Sequence, residues 1–358
     1  DMDMVKKYLD VMEIHKLNPL HWHLTDDQGW RVEIKQYPLL TEIGSIRKET
    51  LVGHLHRGEG VFDGIRYGEG CWFSQEQVKE IIDYAAAKGI EIIPEIDLPG
   101  HMLAALAAYP QYGCTGGPYD VWGRWGIADD VLCAGNEETM VFLENILAEI
   151  AALFPSEYVH IGGDECPKVR WEKCPKCQAK IKELGLEDKD GFKAEHYLQS
   201  YVMNRMTSFL EKQGKKIIGW DEILEGTLAP SATVHSWRGI GGGLEAAKRG
   251  HDCIMSPNVY MYFDYYQTKH TADEPLAIGG YVPVEKVYEY EPLHPSLTPE
   301  QQKRIIGVQA NLWTEYVTSY HHVEYMELPR MAALSEIQWS GADKKNYECF
   351  LSRLPQLV

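Results

Sequence analysis

Short apolar segments alternate with helix-like segments along the whole chain. Seven stretches have the β-branched, apolar composition of buried strands, and the stretches between them place apolar residues at helical spacing. This alternation predicts parallel strands joined by helices, which is an α/β fold. The predicted strands are 18–25, 89–97, 158–161, 215–220, 233–237, 252–256 and 305–312.

Capping patterns predict where several helices begin and end. Ser74 with Gln77 has the spacing of a capping box, and Gly89 follows the apolar stripe as a helix stop. Asn136 precedes two acidic residues and an apolar periodic run, which predicts a second helix start. Thr298, followed by proline and then Glu-Gln, predicts a third.

Acidic and aromatic residues follow the predicted strands, with acidic pairs or aromatic-acid pairs at nearly every strand end. In an eight-stranded β/α barrel these ends form one rim, so such residues converge on a single pocket. Seven strands leave a barrel one short, and the chain opens with a helix-like pattern. We therefore expect a (β/α)8 TIM barrel whose first strand lies upstream of residue 1, and a single catalytic domain over residues 1–358.

Composition narrows the classes of partner. The chain has 358 residues, 44% of them apolar, and a formal net charge of −18. Nucleic acid and anionic membranes are unfavourable partners because no block of Lys and Arg offsets this charge. The sequence contains no apolar stretch of about 18 residues, so no membrane span is predicted. It also opens without a charged-then-apolar signal segment, which leaves export undecided.

Eight cysteines are too few for a disulfide scaffold in a chain of this length. Cys114 and Cys133 bracket a glycine- and tryptophan-rich loop and could be joined across it. Cys174 and Cys177 have C-x-x-C spacing, with Cys166 nearby. Three clustered thiols fall short of the four ligands of a structural zinc site, so we expect no metal. Reduced thiols or a disulfide are the alternative.

The adjacent carboxylates Asp164 and Glu165 follow a short apolar strand that ends at two glycines. Adjacent residues are about 3.8 Å apart at Cα and approach a substrate from one side, whereas an ordinary glycosidase needs carboxylates on opposite faces of the sugar. We expect Glu165 to protonate the leaving oxygen and Asp164, in its ionised form, to hold an N-acetyl group that acts as nucleophile. A helix start bearing stabilising acids is the simpler alternative.

Five motifs, in order, resemble those of glycoside hydrolase family 20, the β-N-acetylhexosaminidases. The resemblance covers nearly the whole chain and implies a (β/α)8 barrel that removes terminal GlcNAc or GalNAc by a retaining, substrate-assisted mechanism without a cofactor. It also implies a secreted or periplasmic protein. The motifs are His21-Trp22-His23-Leu24-Thr25-Asp26-Asp27-Gln28-Gly29-Trp30-Arg31, Asp97-Leu98-Pro99-Gly100-His101, His160-Ile161-Gly162-Gly163-Asp164-Glu165, Gly219-Trp220-Asp221-Glu222 and Gly307-Val308-Gln309-Ala310-Asn311-Leu312-Trp313-Thr314-Glu315.

The same resemblance implies roles for individual residues. Glu165 corresponds to the general acid/base, Asp164 to the residue that orients the acetamido group, and Tyr262 to its second partner. The family's sugar-binding arginine belongs to the first strand, which this sequence does not include. The implied substrate-binding residues are Asp26 and His101 beside the acid, the aromatic walls Trp220, Trp237 and Trp313, and the hydroxyl-binding acids Asp264 and Glu315.

Other activities remain open at this stage. The same scaffold could instead release a disaccharide, as a lacto-N-biosidase does, or hydrolyse a sulfated GlcNAc. Loops rather than barrel motifs set the difference between these activities and removal of a single sugar. His21 and His23 share a strand face and could bind zinc in a metal-dependent hydrolase, but strand packing with satisfied hydrogen bonds is the preferred interpretation. A non-catalytic glycan-binding protein is the third alternative. The expected partner in each case is a glycan, and the oligomeric state is not predicted.

Overall fold

The computed structural model describes residues 1–54 and 60–356. The chain forms two compact units, the first made of Asp1–Leu9 and Asn18–Thr233 and the second of Asp10–Leu17 and Val234–Val358. Helix α1 (Met2–Ile14) contributes residues to both. The prediction of a single catalytic domain stays a prediction.

Six strands lie in the first unit, and four of them form a parallel ladder. The ladder order is β1-β4-β5-β6, whereas β2 and β3 pair antiparallel with each other. Its register sets His23 opposite Glu95 and Glu95 opposite His160. The strands are β1 (Leu20–His23), β2 (Thr25–Asp26), β3 (Gly29–Trp30), β4 (Ile92–Leu98), β5 (Tyr158–Gly162) and β6 (Lys216–Trp220).

Helices connect the parallel strands of this unit, and their predicted caps are confirmed. The Ser74 side chain accepts from Gln77 N–H in a complete capping box, and the Asn136 side chain accepts from Glu138 N–H. Each bond satisfies a backbone donor that the helix itself leaves unpaired. The helices are α2 (Leu39–Glu42), α3 (Gln75–Ala87), α4 (Leu103–Ala108), α5 (Glu137–Leu153), α6 (Pro175–Leu184) and α7 (Ala194–Lys212), with 3-10 turns at Pro110–Tyr112 and Asp221–Leu224.

Strand β4 is buried along its entire length, as expected of a central parallel strand with both faces covered. Two of its seven residues, Glu95 and Asp97, are nevertheless acids with no exposed surface. A buried carboxylate is costly unless charged or hydrogen-bonding groups surround it. The partners of these two acids therefore define the polar part of the core.

The second unit has three strands in a parallel ladder, β7 pairing with β8 and β8 with β9. The predicted cap at Thr298 is confirmed as a capping box on a short helix. The elements are β7 (Thr233–Ser236), α8 (Gly241–Arg249), β8 (Cys253–Met255), α9 (Asn258–Met261), α10 (Val284–Glu289), α11 (Pro299–Gln302), β9 (Ile305–Val308), α12 (Tyr320–Glu327), α13 (Arg330–Trp339) and α14 (Tyr347–Arg353), with 3-10 turns at Ala342–Lys344 and Leu354–Gln356.

All seven predicted strands are present, and the differences lie at their ends. The first ends at His23 because Thr25–Asp26 turns away to pair with Gly29–Trp30. The last ends at Val308 rather than 312, and Asn311 instead forms an isolated bridge with Tyr262. No helix within residues 1–54 and 60–356 combines the length and apolarity needed to cross a membrane.

Candidate active site

Glu95 on β4 is the centre of a buried polar network in the first unit. Its Oε2 atom lies 2.8 Å from Nε2 of His21 and 2.8 Å from Nδ1 of His23, so these two rings do share one face of β1. Its Oε1 atom lies 3.2 Å from Nδ1 of His160 and accepts the indole N–H of Trp220 at 2.9 Å. The carboxylate thus has a partner on each neighbouring strand.

Electrostatics keep Glu95 ionised despite its burial. Burial alone would raise its pKa, but the charges of His160, His23 and His21 hold the pKa well below its usual range. His23 responds in the opposite sense: burial opposes its charge, yet Glu95 and Asp26 raise its pKa to about 10. Burial lowers the pKa of His160 to about 4, while the charge of Glu95 acts to raise it. The contacts with Glu95 thus account for the placement of His21 and His23 on one face of β1.

His101 is the centre of a second network, directly beside the predicted catalytic pair. On one side its Nδ1 atom lies 3.0 Å from Oδ1 of Asp26 and 3.3 Å from Oδ2 of Asp27. On the other, its Nε2 atom lies 3.6 Å from Oδ2 of Asp164 and 3.6 Å from Oε2 of Glu165. One imidazole therefore links the acids after β1 to the acids after β5.

The His101 ring is positively charged in this setting. Burial would lower its pKa, but Asp26, with hydrogen bonds to Asp26, Asp27 and Glu165, raises it well above the usual value. Asp26 itself is held below its ordinary pKa, against burial, by His101 and His23. Asp27 has a pKa raised by burial, and its carboxylate accepts the backbone N–H groups of Leu103 and Ala128.

Asp164 departs from the expectation that it stays ionised. Burial, together with the charges of Glu95 and Glu165, raises its pKa to about 7, while His101 and His23 act to lower it. The carboxyl group is therefore close to half protonated at neutral pH. Its Oδ1 atom is buried and has no hydrogen-bond partner among the described residues. This oxygen is free to accept a hydrogen bond from a bound molecule.

The backbone around the pair adopts conformations that most residues avoid. Gly162 and Gly163 have φ values of +63° and +97°, and the non-glycine residues Glu165 and His101 have +43° and +51°. A Cβ atom on Gly162 would lie 1.7 Å from Oδ1 of Asp97. Left-handed non-glycine residues store of order 1–3 kcal/mol each and concentrate at functional sites. The two glycines let the chain turn sharply at the end of β5 and present both carboxylates together.

Two tryptophan rings contact Tyr262 in the second unit. Trp237 stacks on Tyr262 with ring centroids 6.1 Å apart and an interplanar angle of 15°. The Trp313 ring lies beside the same tyrosine, with ring centroids 6.4 Å apart and an interplanar angle of 54°. The backbone bridge between Tyr262 and Asn311, with Phe263 N–H donating to Asn311 O at 2.7 Å, holds these segments side by side. The arrangement offers flat apolar surfaces suited to a sugar ring or a methyl group.

Asp264 lies in the same unit, buried and with an Oδ1 atom that lacks a partner among the described residues. Burial, reinforced by the charge of Glu315, raises its pKa well above the usual value. Arg330, fully buried on α13, fixes the backbone around it by donating to Phe263 O, to Tyr265 O at 3.0 Å and to Val282 O at 2.8 Å.

The predicted site residues divide between the two units. The structure brings Asp26, His101, Asp164 and Glu165 together in the first, and Trp220 contacts Glu95 in the other network of that unit. The second unit contains the rest: Trp237, Tyr262, Asp264, Trp313 and Glu315. Besides the histidines on β1 and β5, four residues described above were not predicted as site residues. Three of them, Asp27, Glu95 and Asp97, were already visible as acids at strand ends, whereas nothing in the sequence singles out Arg330.

The cysteine grouping predicted from spacing was wrong. Cys166 stands apart, and four other residues form what we call the four-cysteine cluster: Cys114, Cys133, Cys174 and Cys177. Spacing alone missed it because Cys133 and Cys114 lie about 40 and 60 residues before Cys174 in the sequence. The argument against a metal, which rested on only three neighbouring thiols, no longer holds.

Comparison with protein families gives one match over nearly the whole chain. Residues 1–342 match the model of "Glycosyl hydrolase family 20, catalytic domain". A beta-hexosaminidase of Porphyromonas gingivalis is 46% identical over 351 residues, covering 98% of this chain and 42% of that protein. One from Vibrio furnissii is 36% identical, covering 96% of this chain and 54% of that protein. The chain thus spans about half the length of these relatives.

Solved structures agree with this match. A crystal structure of a beta-N-acetylhexosaminidase superimposes with a TM-score of 0.88 at 30% identity, covering all of this chain and 72% of that one. The exo-β-N-acetylglucosaminidase of Vibrio harveyi, solved in complex with N-acetylglucosamine, gives 0.83 at 33% identity, covering 99% and 54%. The predicted fold class, α/β of the (β/α)8 TIM-barrel type, is confirmed.

Proposed function

Because the chain belongs to glycosyl hydrolase family 20, we propose that it is a retaining exo-β-N-acetylhexosaminidase that releases terminal GlcNAc or GalNAc from glycans. One observation carries the mechanism. Asp164 and Glu165 lie side by side next to the charged His101, and Asp164 keeps a buried acceptor oxygen without a partner among the residues described. Two carboxylates on the same side cannot attack and protonate a glycosidic bond from opposite faces.

The substrate's own acetamide therefore supplies the nucleophile. Its carbonyl oxygen attacks the anomeric carbon while the Glu165 carboxyl group gives its proton to the leaving oxygen, and the glycosidic bond breaks. The product of this step is a cyclic oxazolinium ion. Water then attacks the same carbon as the Glu165 carboxylate removes its proton, and the ring opens back to the acetamide. Two inversions give net retention.

Asp164 orients the acetamide by accepting its N–H at Oδ1 and stabilises the positive charge that develops there. In the free protein Asp164 has a pKa of about 7, and a hydrogen-bond donor at its carboxylate favours the ionised form. Substrate binding thus supplies the interaction that completes the ionisation. His101, bridging Asp26 to both acids, positions them and counters their mutual repulsion.

The family resemblance implies the remaining substrate contacts. Tyr262 is the other hydrogen-bond partner of the acetamide, and Trp220, Trp237 and Trp313 are the aromatic walls. Asp264 and Glu315 bind sugar hydroxyl groups. The partnerless Oδ1 of Asp264 supports its role, because a hydroxyl would satisfy an acceptor that is otherwise buried at a cost. No step requires a cofactor.

The natural partner in this proposal is a glycan with a terminal N-acetylhexosamine. The relative solved with N-acetylglucosamine supports the choice of sugar, without distinguishing GlcNAc from GalNAc for this chain. A secreted or periplasmic location is proposed on the family resemblance alone.

Hydrolysis of three aryl glycosides by the full-length protein tests the proposal. The β-GlcNAc and β-GalNAc substrates carry the acetamide, and the β-glucoside does not. We expect cleavage of one or both N-acetylated substrates and no measurable cleavage of the glucoside. Comparable cleavage of the glucoside would contradict the substrate-assisted mechanism, and no cleavage of any would favour a glycan-binding protein.

A further inference from the structure

The four-cysteine cluster joins two loops of the first unit that are far apart in sequence. Cys114 follows the turn Pro110–Tyr112, and Cys133 follows an isolated bridge between Gly113 and Leu132. Cys174 is the N-cap of α6, and Cys177 lies in its first turn. All four sulfur atoms lie within 4.8 Å of one another, and Cys133, Cys174 and Cys177 are buried.

The distances between these sulfur atoms match the edges of a zinc tetrahedron. The Sγ atoms are 3.8 Å apart for Cys114 and Cys177, 3.7 Å for Cys133 and Cys174, and 3.7 Å for Cys133 and Cys177. With Zn–S bonds of about 2.3 Å, the sulfur atoms of a regular tetrahedron stand roughly 3.8 Å apart. A disulfide needs about 2.05 Å, and none of the eight cysteines, all of which lie in the described residues, forms a disulfide.

The backbone around Gly135 approaches the cluster closely. The Gly135 N–H group donates to the sulfur atoms of Cys133 and Cys177. Cys174 and Cys177 also sit at the N-terminus of a ten-residue helix, where the backbone dipoles stabilise negative charge. A Cβ atom on Gly135 would lie 2.2 Å from the carbonyl carbon of Lys176, so only glycine permits this close approach.

We propose that the four-cysteine cluster binds one Zn²⁺ ion in a closed, structural site. Four thiolates fill the tetrahedral coordination sphere, which leaves no open position for water and no part in hydrolysis. Clustered thiols without a cation cannot all ionise, because each thiolate repels the next. With zinc bound, each thiol loses its proton to solvent and the ion supplies the compensating charge.

The ion would fasten the loop after α4 to the loop that follows Glu165. The chain reaches Cys174 only nine positions after Glu165, and Trp171 between them donates its indole N–H to Leu132 O at 2.8 Å. A metal link between these loops limits how far the segment carrying the acidic pair can open. Its main effect is on stability, because an ion that binds only the folded chain adds its binding free energy to folding.

Metal analysis of the full-length protein, purified under reducing conditions without chelator, is the direct test. We expect close to one zinc per chain and no equivalent of iron. Removal of the ion with a strong chelator should lower the thermal midpoint and expose the cluster thiols to a thiol reagent, and added Zn²⁺ should reverse both effects. Cobalt(II) added to the metal-free protein should give the visible absorption of tetrathiolate coordination.

Matched variants separate the cluster from cysteine content in general. Cys133→Ser and Cys174→Ser should each reduce bound zinc to near zero. Cys253→Ser removes a buried thiol outside the cluster, and Cys71→Ser removes an exposed one, so both should retain zinc. If a cluster variant does not fold, the wild-type metal content and the cobalt spectrum still decide the question.

Two results with the wild-type protein would overturn the proposal. One is wild-type protein with all eight thiols reduced that takes up neither zinc nor cobalt. The other is disulfide-linked peptides joining cluster members in protein purified under reducing conditions, since a disulfide consumes the ligands. Loss of zinc from the Cys253 and Cys71 controls as well as from the cluster variants would likewise place the metal elsewhere.

Discussion

Charge in the first unit is organised around two groups of opposite sign, the Glu95 carboxylate and the His101 imidazolium. Glu95 is surrounded by histidines and stays ionised, whereas His101 is surrounded by carboxylates and stays protonated. Asp164 lies beside His101 and is repelled by the charge of Glu95. The pKa of Asp164 is thus set by burial and by charged residues distant in sequence, in addition to the adjacent Glu165.

Glu165→Gln tests the proton-donor role at a single residue. Natural glycans have poor leaving groups and need protonation, so we expect their turnover to fall by about 10²–10⁴-fold. Aryl glycosides with acidic phenols need little protonation in the first step and should lose much less. Steady-state kinetics on both substrate types measures the difference. Equal loss on both, in a variant with a normal thermal midpoint, would count against this role.

Asp164 should make the activity depend on pH in a defined direction. The ionised form is needed to face the developing positive charge, and the pKa of Asp164 is about 7 in the free protein. We therefore expect kcat/KM to fall as the pH is lowered through that value. Asp164→Asn should reduce kcat by on the order of 10²-fold and abolish this limb of the profile. An unchanged acidic limb in the variant would assign the titration to another group.

The raised pKa of Asp164 also predicts how this residue affects the free energy of unfolding. A carboxyl group whose pKa is raised on folding binds more protons in the folded than in the unfolded state, so its ionisation destabilises the protein as pH rises from about 4 towards 7. Asp164→Asn removes a penalty of at most roughly 4 kcal/mol. Denaturant unfolding should show the variant gaining stability over wild type from about pH 4 to about pH 7. A constant difference across this range would contradict the shift.

In the first unit, residues that follow different strands lie next to each other although they are far apart in sequence. The apolar pattern predicts each strand because a strand buried on both faces needs apolar side chains on both. The polar residues that follow each strand can also be read directly from the sequence. The bend at Gly162 and the buried partners of Glu95 are set by long-range contacts across the ladder, which a single sequence does not encode locally. For the same reason, C-x-x-C spacing identified two of the clustered cysteines and missed the two contributed by a distant loop.

Gly162→Ala tests the turn at the end of β5. Both Gly162 and Gly214 have positive φ, but a Cβ at Gly214 would meet nothing within 4 Å, whereas one at Gly162 would overlap Asp97. We expect Gly214→Ala to cost about 1 kcal/mol for conformation alone and Gly162→Ala to cost about 1–3 kcal/mol more. Chemical denaturation measures both. Equal costs would show that the close approach to Asp97 is not important.

Arg330→Gln tests the support of Asp264 in the second unit. Arg330 is fully buried, and its charge is satisfied by backbone carbonyl oxygens, including those on either side of Asp264. Leaving these acceptors unpaired should cost about 3 kcal/mol or more. Arg353, whose guanidinium is half exposed and paired with Glu336, provides the control, and Arg353→Gln should cost less than about 1 kcal/mol. Similar losses for both variants would contradict a structural role specific to Arg330.

At the scale of the whole molecule, order along the chain was the most predictable property. Seven strands, their alternation with helices and the three capping sites follow from local periodicity and were all found. The division into two compact units was not foreseen, because the chain contains no linker-like break in composition. The site residues implied by the family resemblance are found in both units, so kinetic tests should use the intact chain.

The hydrolysis rates of aryl glycosides whose N-acyl group carries zero, one, two or three fluorine atoms are the sharpest test of the substrate-assisted mechanism. Fluorine makes the carbonyl oxygen less nucleophilic while changing its size little, so a substrate-assisted enzyme should slow steeply and progressively across the series, with retention of the β configuration in the first product. A rate independent of fluorine content, or a trapped glycosyl ester on Asp164 or Glu165 detected by mass spectrometry, would show that the protein supplies the nucleophile.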